Sequence, residues 1–200
     1  MDGAFFLWFT WMGVVITAFF HNHSQRRKPL IVLLLTAICL VNIQFNIMNY
    51  TVTALFLLVW GYGYRLLLGS IQVTLKYGVL VLITVTAAYT AIKLFSVYDP
   101  VFTYLYTKWT ISAFLFAIVH ITLSGTAERC SFLLIGIVHG ESILTTLFEQ
   151  MGINRIAGSP EALDIMAISI MGTIVWHYFV QLTLQLEKHV KEYQERRGYS

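Results

Sequence analysis

The sequence predicts an all-α integral membrane protein, a single domain over residues 1–200 built as a bundle of about seven transmembrane helices. Three observations carry that prediction. Apolar residues make up 58% of the chain and charged ones 12%, with a mean hydropathy of +0.71, a balance no soluble domain of this size has. Apolar stretches follow one another with only short polar breaks, each close to the roughly 20 residues that cross a hydrocarbon core. Lys and Arg gather in alternate breaks, as they do when a chain weaves through a membrane.

The first stretch, Ala4–Phe20, follows an Asp and no basic residue, the reverse of a signal-peptide n-region, so it is expected to remain as a span. The second and third, Leu30–Ile47 and Thr51–Leu67, are parted only by Met48-Asn49-Tyr50 and are expected to form a tight helical hairpin, with Asn42, Asn46 and Asn49 lining the end of the second. The fourth, fifth and sixth are Tyr77–Phe95, Val101–Leu123 and Ser131–Phe148. Ser159-Pro160-Glu161 then reads as a helix start, with a hydroxyl N-cap, Pro at the first helical position and an acid in the first turn. The seventh stretch, Asp164–Leu186, leads into a polar tail, residues 187–200. There Glu187/Lys191 and Glu192/Arg196 stand four residues apart and favour continued helix on the cytoplasmic side. Pro29, Pro100 and Pro160 all fall at expected helix entries, so no broken helix of the secondary-transporter kind is predicted.

Charge sets the orientation. Arg26, Arg27, Lys28, Arg65, Lys76, Arg129, Lys188, Lys191, Arg196 and Arg197 fall on one side, against Arg155, Lys93 and Lys108 on the other. The expected arrangement is N-terminus outside and C-terminus in the cytoplasm, with Lys93 and Lys108 reaching outward to the interface. The net charge of +3 suits contact with anionic lipid, so the lipid bilayer is the expected partner and nucleic acid is not. Cys39 falls mid-span and Cys130 at a membrane edge, which gives no disulfide framework or metal-knuckle spacing.

Ionisable groups at mid-span are costly in lipid and mark the candidate site. Glu141 and His139 lie near the middle of the sixth stretch, His177 near that of the seventh, and His120 towards the inner end of the fifth. At 100° per residue His139 and Glu141 point about 160° apart, so they face different neighbours. Gly136 and Gly140 form a Gly-x-x-x-Gly pair that lets another backbone approach, which makes the sixth stretch the expected centre of the bundle. Polar series at four-residue spacing run along the seventh stretch (Ser169, Thr173, His177, Gln181, Gln185) and the fifth (Tyr104, Lys108, Ser112, then apolar Phe116, then His120). With Ser142 and Thr145, the residues Ser112, Thr173 and Gln181 are the candidate polar lining.

Other chemistries find less support. The seventh stretch has no Lys for a retinal Schiff base, and Ser142 beside His139 carries no nucleophile motif around it. No catalytic residue is assigned. Haem or a metal held by His139 and His177 would have to be assembled from different helices, and no metal ligand set is read from the spacing.

The aromatic opening Phe5-Phe6-Leu7-Trp8-Phe9-Thr10-Trp11, the turn Tyr98-Asp99-Pro100-Val101 and the triplet Gly140-Glu141-Ser142 occur together in a chain of this length and layout. In these features the chain resembles the YphA-like small integral membrane proteins of Bacillus-type bacteria. The resemblance implies a multi-pass protein of the bacterial cell (cytoplasmic) membrane and carries over no catalytic role.

The expected function is non-enzymatic: binding or moving a small species, protons among them, through a polar core of the fifth to seventh spans. Glu141 is the expected protonatable group, with His139, His177 and His120 as relays or ligands. Two alternatives differ in class. One is a structural or regulatory subunit held to a membrane-protein partner or to copies of itself. The other is an intramembrane haem or metal enzyme.

Overall fold

A computed structural model of the protein describes residues 2–20, 24–47, 50–70, 74–99 and 105–198. Among them are seven helices, α1 (Ala4–Phe20), α2 (Ser24–Leu40), α3 (Ala54–Ser70), α4 (Leu75–Tyr98), α5 (Lys108–Thr122), α6 (Thr126–Gln150) and α7 (Pro160–Gly198). Three short strands, β1 (Gln44–Ile47), β2 (Tyr50–Thr53) and β3 (Ile156–Ala157), form one small sheet in the order β1-β2-β3. Helices α4, α6 and α7 are long and apolar enough to cross a membrane, whereas α1, α3 and α5 are apolar but shorter. Large apolar side chains such as Trp8, Phe19, Phe20 and Ile121 are more than half exposed, as a lipid-facing surface requires.

Helix α6 is the core. Residues 131–138 are buried without a break, so every side of that segment meets protein. Helices α3, α4, α5 and α7 pack around it, and α1 packs on α2 and α7. The two glycines do what their spacing predicts. A Cβ on Gly136 would stand 2.5 Å from Val85 Cγ1, and one on Gly140 would stand 2.5 Å from Tyr89 Cδ1, so α4 lies directly against the α6 backbone. The helix ends in a Schellman turn: Gly152 takes φ +75°, Ile153 N–H donates to Phe148 O at 2.9 Å, and Gly152 N–H to Glu149 O at 2.9 Å.

The expected helical hairpin at Met48-Asn49-Tyr50 is a β-hairpin instead. Helix α2 stops at Leu40, and β1 and β2 pair antiparallel with Gln44 opposite Thr53 and Ile47 opposite Tyr50. The cause is visible in the sequence. From Val41 to Ile47 polar Asn42, Gln44 and Asn46 alternate with apolar residues, a period of two that suits a strand and gives a helix no single apolar face. The asparagines therefore form no helical row; Asn46 Oδ1 accepts from Thr51 across the hairpin at 3.0 Å, and Asn49 lies outside the described residues. Helix α3 starts at Ala54, three residues later than expected, with Thr53 Oγ1 accepting from Phe56 N–H at 3.3 Å as its cap.

Other boundaries shift as well. Helix α2 takes in the basic run, so Pro29 lies inside it and not at its entry. Residues 101–104, expected to open the fifth span, lie outside the described residues, Tyr104 among them; the helix itself begins at Lys108. The start of α7 is as read: it begins at Pro160, and Ser159 Oγ accepts from Ala162 N–H at 3.3 Å. At 39 residues α7 is about 58 Å long at 1.5 Å per residue, well beyond a hydrocarbon core of about 30 Å. Glu187 and Lys191 pair at 2.7 Å on the projecting part.

Candidate functional site

The strand β3 lies parallel to β2, pairing Thr51 with Ile156 and Val52 with Ala157. This stitches the α6–α7 loop to the hairpin between α2 and α3, and it aims the preceding residue, Arg155, back into the bundle. There Arg155 Nη2 donates to Glu141 Oε1 at 2.7 Å. Tyr89 of α4 donates to the same oxygen at 2.6 Å. Glu141 is 1% exposed and Tyr89 fully buried, so the carboxylate is shielded from lipid and from bulk solvent. Thr145 Oγ1 donates to the Glu141 backbone carbonyl at 2.8 Å. The guanidinium lies over the Phe148 ring, 5.4 Å from its centroid.

Two further charge pairs close the same end of the bundle. Asp164 at the start of α7 is wholly buried. Its two oxygens accept from Gly3 N–H at 3.0 Å and Phe6 N–H at 2.9 Å, which caps the first turn of α1. Lys108 Nζ donates to Asp164 Oδ2 at 2.8 Å and sits 4.8 Å from the centroid of Phe5. Lys93, 6% exposed, pairs with Glu161. Lys93 and Lys108 therefore turn inward to acids of α7 and do not reach out to the interface as expected. An ion pair satisfies a buried ammonium more fully than a stretched side chain does.

The predicted site residues separate into distinct surroundings. His139 faces α3, where Tyr64 OH stands 3.1 Å from its Nε2 and its Nδ1 lies 2.8 Å from Ile135 O. His177 Nδ1 is 3.0 Å from Thr126 Oγ1, at the far end of α6, and its Nε2 is 3.0 Å from the Gln181 amide. His120 stacks on Phe116 at 3.8 Å and meets Trp176 edge-on. Among the described residues no hydrogen bond joins any two of Glu141, His139, His177 and His120, and no group of three or more His, Cys, Asp or Glu is placed to hold a metal ion.

Of the candidate lining, Ser112 ties α5 to α7, together with Ser169 of the polar series on α7. Ser112 Oγ donates to Ile165 O at 3.1 Å, and Ser169 Oγ contacts Ser112 O at 3.4 Å. Thr173 is buried and bonds to the Ser169 carbonyl of its own helix. Ser142 and Gln181 are exposed on the outside of the bundle. The partners of Glu141 thus come from α4 and from the α6–α7 loop, and not from α5 or the body of α7.

Sequence reasoning missed Tyr89, Arg155, Asp164 and Glu161 as members of these pairs, and it missed the buried Glu128 in the first turn of α6. The available signal was arithmetical. Each of the three basic residues expected at that end has an acid within the adjoining helices, and Arg155 alone supplies a cation to the α6–α7 loop.

A family model, YphA-like integral membrane protein, matches residues 2–198. The chain belongs to that family. It is 26% identical over 158 residues to the uncharacterized protein YphA of Bacillus subtilis (strain 168), a match that covers 76% of this chain and 75% of the relative. No solved structure matches. Membership makes the chain an integral membrane protein, in keeping with its apolar helices and lipid-facing aromatic surface.

Proposed function

We propose that this YphA-like protein is a non-enzymatic, seven-span protein of the bacterial cytoplasmic membrane that takes up and passes on a small species, the proton, at Glu141. The sheet-bearing end faces outside, with the N-terminus, and α7 ends in the cytoplasm. Alternate-loop charge supports this orientation, because the basic residues at the sheet end are each matched by an acid.

One observation carries the reading: a carboxylate 1% exposed, in the most enclosed helix, held by a guanidinium at 2.7 Å and a phenol at 2.6 Å. Packing alone does not call for such a pair, since well-packed apolar residues of similar volume stabilise as well or better. On taking up a proton the carboxylate becomes a neutral acid, its attraction to Arg155 falls away, and the α6–α7 loop that carries Arg155 is released. On giving the proton up, the pair re-forms. The loop therefore moves with the charge state of Glu141.

The test is proton uptake into liposomes holding the purified protein and an internal pH dye, driven by a potassium diffusion potential. The expected result is uptake by the native protein and none by Glu141→Gln that is still folded. Equal uptake by native protein, variant and empty liposomes would refute the role.

A second reading, a subunit that serves a membrane partner, draws on α7. From Ile174 to Tyr193 every residue except His177 is exposed, including Trp176, Phe179, Leu186 and Tyr193. It predicts a partner that co-purifies with native protein and Glu141→Gln alike and is lost when the projecting part of α7 is removed.

A further inference from the structure

Resting on Glu141 as the working acid, we infer that the seam between α4 and α6 holds an internal water site, walled by Thr86 and Thr90, that delivers the proton to the Oε2 atom of Glu141. Several other helical threonines satisfy themselves. Thr10, Thr84, Thr145 and Thr173 each give their hydroxyl to the carbonyl four residues back. Thr86 and Thr90, one turn apart on α4, do not. Both hydroxyl oxygens are buried and have no partner among the described residues, and the same holds for Glu141 Oε2 and Arg155 Nε.

The residues that carry these atoms flank one seam: Thr86 and Thr90 on α4, Glu141 on α6, and Arg155 bound to Glu141 through its Nη2. Thr90 Oγ1 lies 3.2 Å from where a Cβ on Gly140 would stand, next to Glu141, and Thr86 lies against Gly136 one turn below. Between them on α4, Tyr89 donates to Glu141 Oε1. Unpaired polar atoms buried together carry an uncompensated loss of hydration, and proteins meet that loss with ordered water, each molecule making two to four hydrogen bonds.

Donor and acceptor chemistry selects the ligand. Arg155 Nε–H only donates, the ionised Glu141 Oε2 only accepts, and the two hydroxyls do either. A cation would leave Nε–H unmet and face a guanidinium, and an anion would face the carboxylate. Water satisfies all four. The two oxygens of Glu141 then have separate tasks. Oε1 is held by Tyr89 and Arg155, while Oε2 meets the water. A proton arriving there forms one O–H bond on Oε2 as one O–H bond of the donating water breaks. That water is reprotonated by its neighbour in the chain, and Glu141 goes from charge −1 to neutral. Delivery needs neither bond to Oε1 to break first.

The test is hydroxyl-radical footprinting of the full chain in nanodiscs, read by mass spectrometry. Radicals form from water where it is bound, so the fully buried Tyr89 is oxidised several-fold faster than Phe132, which is equally enclosed at 2% exposure. Thr86→Val with Thr90→Val lowers the Tyr89 rate towards that of Phe132 and lowers the melting midpoint. Tyr89 oxidation no faster than Phe132, or a double variant that melts higher because it has lost two unpaired hydroxyls from a dry seam, would overturn the water site. The two readings fail separately. Labelled Tyr89 with no Glu141-dependent uptake leaves the water site and removes transport. Glu141-dependent uptake with unlabelled Tyr89 leaves the acid and removes the water.

Discussion

Replacing Gly140 with Ala tests the α4–α6 contact on which the candidate site depends. The added methyl would stand 2.5 Å from Tyr89 Cδ1 and 3.2 Å from Thr90 Oγ1. Carbon atoms rest at about 3.5–4.0 Å, so the shortfall is about 1 Å. Tyr89 cannot swing aside freely, because it is fully enclosed and its hydroxyl is fixed on Glu141 at 2.6 Å. The helices are pushed apart and that bond is lost with them. Overpacking of this kind costs about 1–3 kcal/mol, and a hydrogen bond to a charged group contributes about 1.5–3 kcal/mol. Ala gains back about 1 kcal/mol in helix propensity, which leaves a net loss of about 2–5 kcal/mol. At about 2–4 °C per kcal/mol for a chain of this length, the melting midpoint falls by about 4–20 °C. Tryptophan fluorescence on heating in detergent reads it. Gly61→Ala and Gly69→Ala are the controls, since nothing stands within 4 Å of either added methyl, and both are expected to hold or raise the midpoint. A Gly140→Ala midpoint equal to that of the native protein would refute the close contact.

The remaining predictions concern the charge pairs, the histidines and the topology. Arg155→Gln leaves the Glu141 charge buried and is expected to cost about 3–5 kcal/mol, whereas Glu141→Gln with Arg155→Gln is more stable than either single change, measured as a double-mutant cycle. Asp164→Ala removes the cap on α1 and the partner of Lys108 together, so amide exchange over residues 4–10 should rise sharply while that of residues 131–138 holds. His139→Ala and His177→Ala are expected to leave the absorption spectrum and metal content of the purified protein unchanged; a haem band or bound metal lost in either variant would establish the cofactor reading. A cysteine at Asn154 should react with an impermeant thiol reagent on intact cells and one at Lys188 only after lysis, and the reverse pattern would invert the proposed orientation.

Composition and periodicity were enough for the helical class and for α6 as the centre, because the Gly136/Gly140 pair admits α4 to its backbone and the apolar run 131–138 meets protein on every side. They were also enough for the start of α7, where Ser159 and Pro160 act locally. The hairpin at Gln44–Thr53 was mistaken because hydropathy registers apolar content and ignores the alternation of Asn42, Gln44 and Asn46. The site was half legible. Glu141 stood out by its cost in lipid, but its partners Tyr89 and Arg155 lie 52 and 14 residues away, and no local pattern specifies such pairings. Lys93 and Lys108 were placed at the right end of the bundle and pointed the wrong way for the same reason: their acids, Glu161 and Asp164, come from a later helix.

The cap on α1 has a bearing on the order of synthesis. Asp164 reaches Gly3 across 161 residues of sequence, so the first helix is made without the carboxylate that caps its opening N–H groups and waits for α7 to supply it. The acids for Lys93 and Lys108 arrive with the same last helix. A chain that stops short of α7 therefore carries a first helix without its cap, and it lacks the Glu161 and Asp164 carboxylates that meet Lys93 and Lys108. The arrival of α7 and the neutralisation of that end of the bundle are one event.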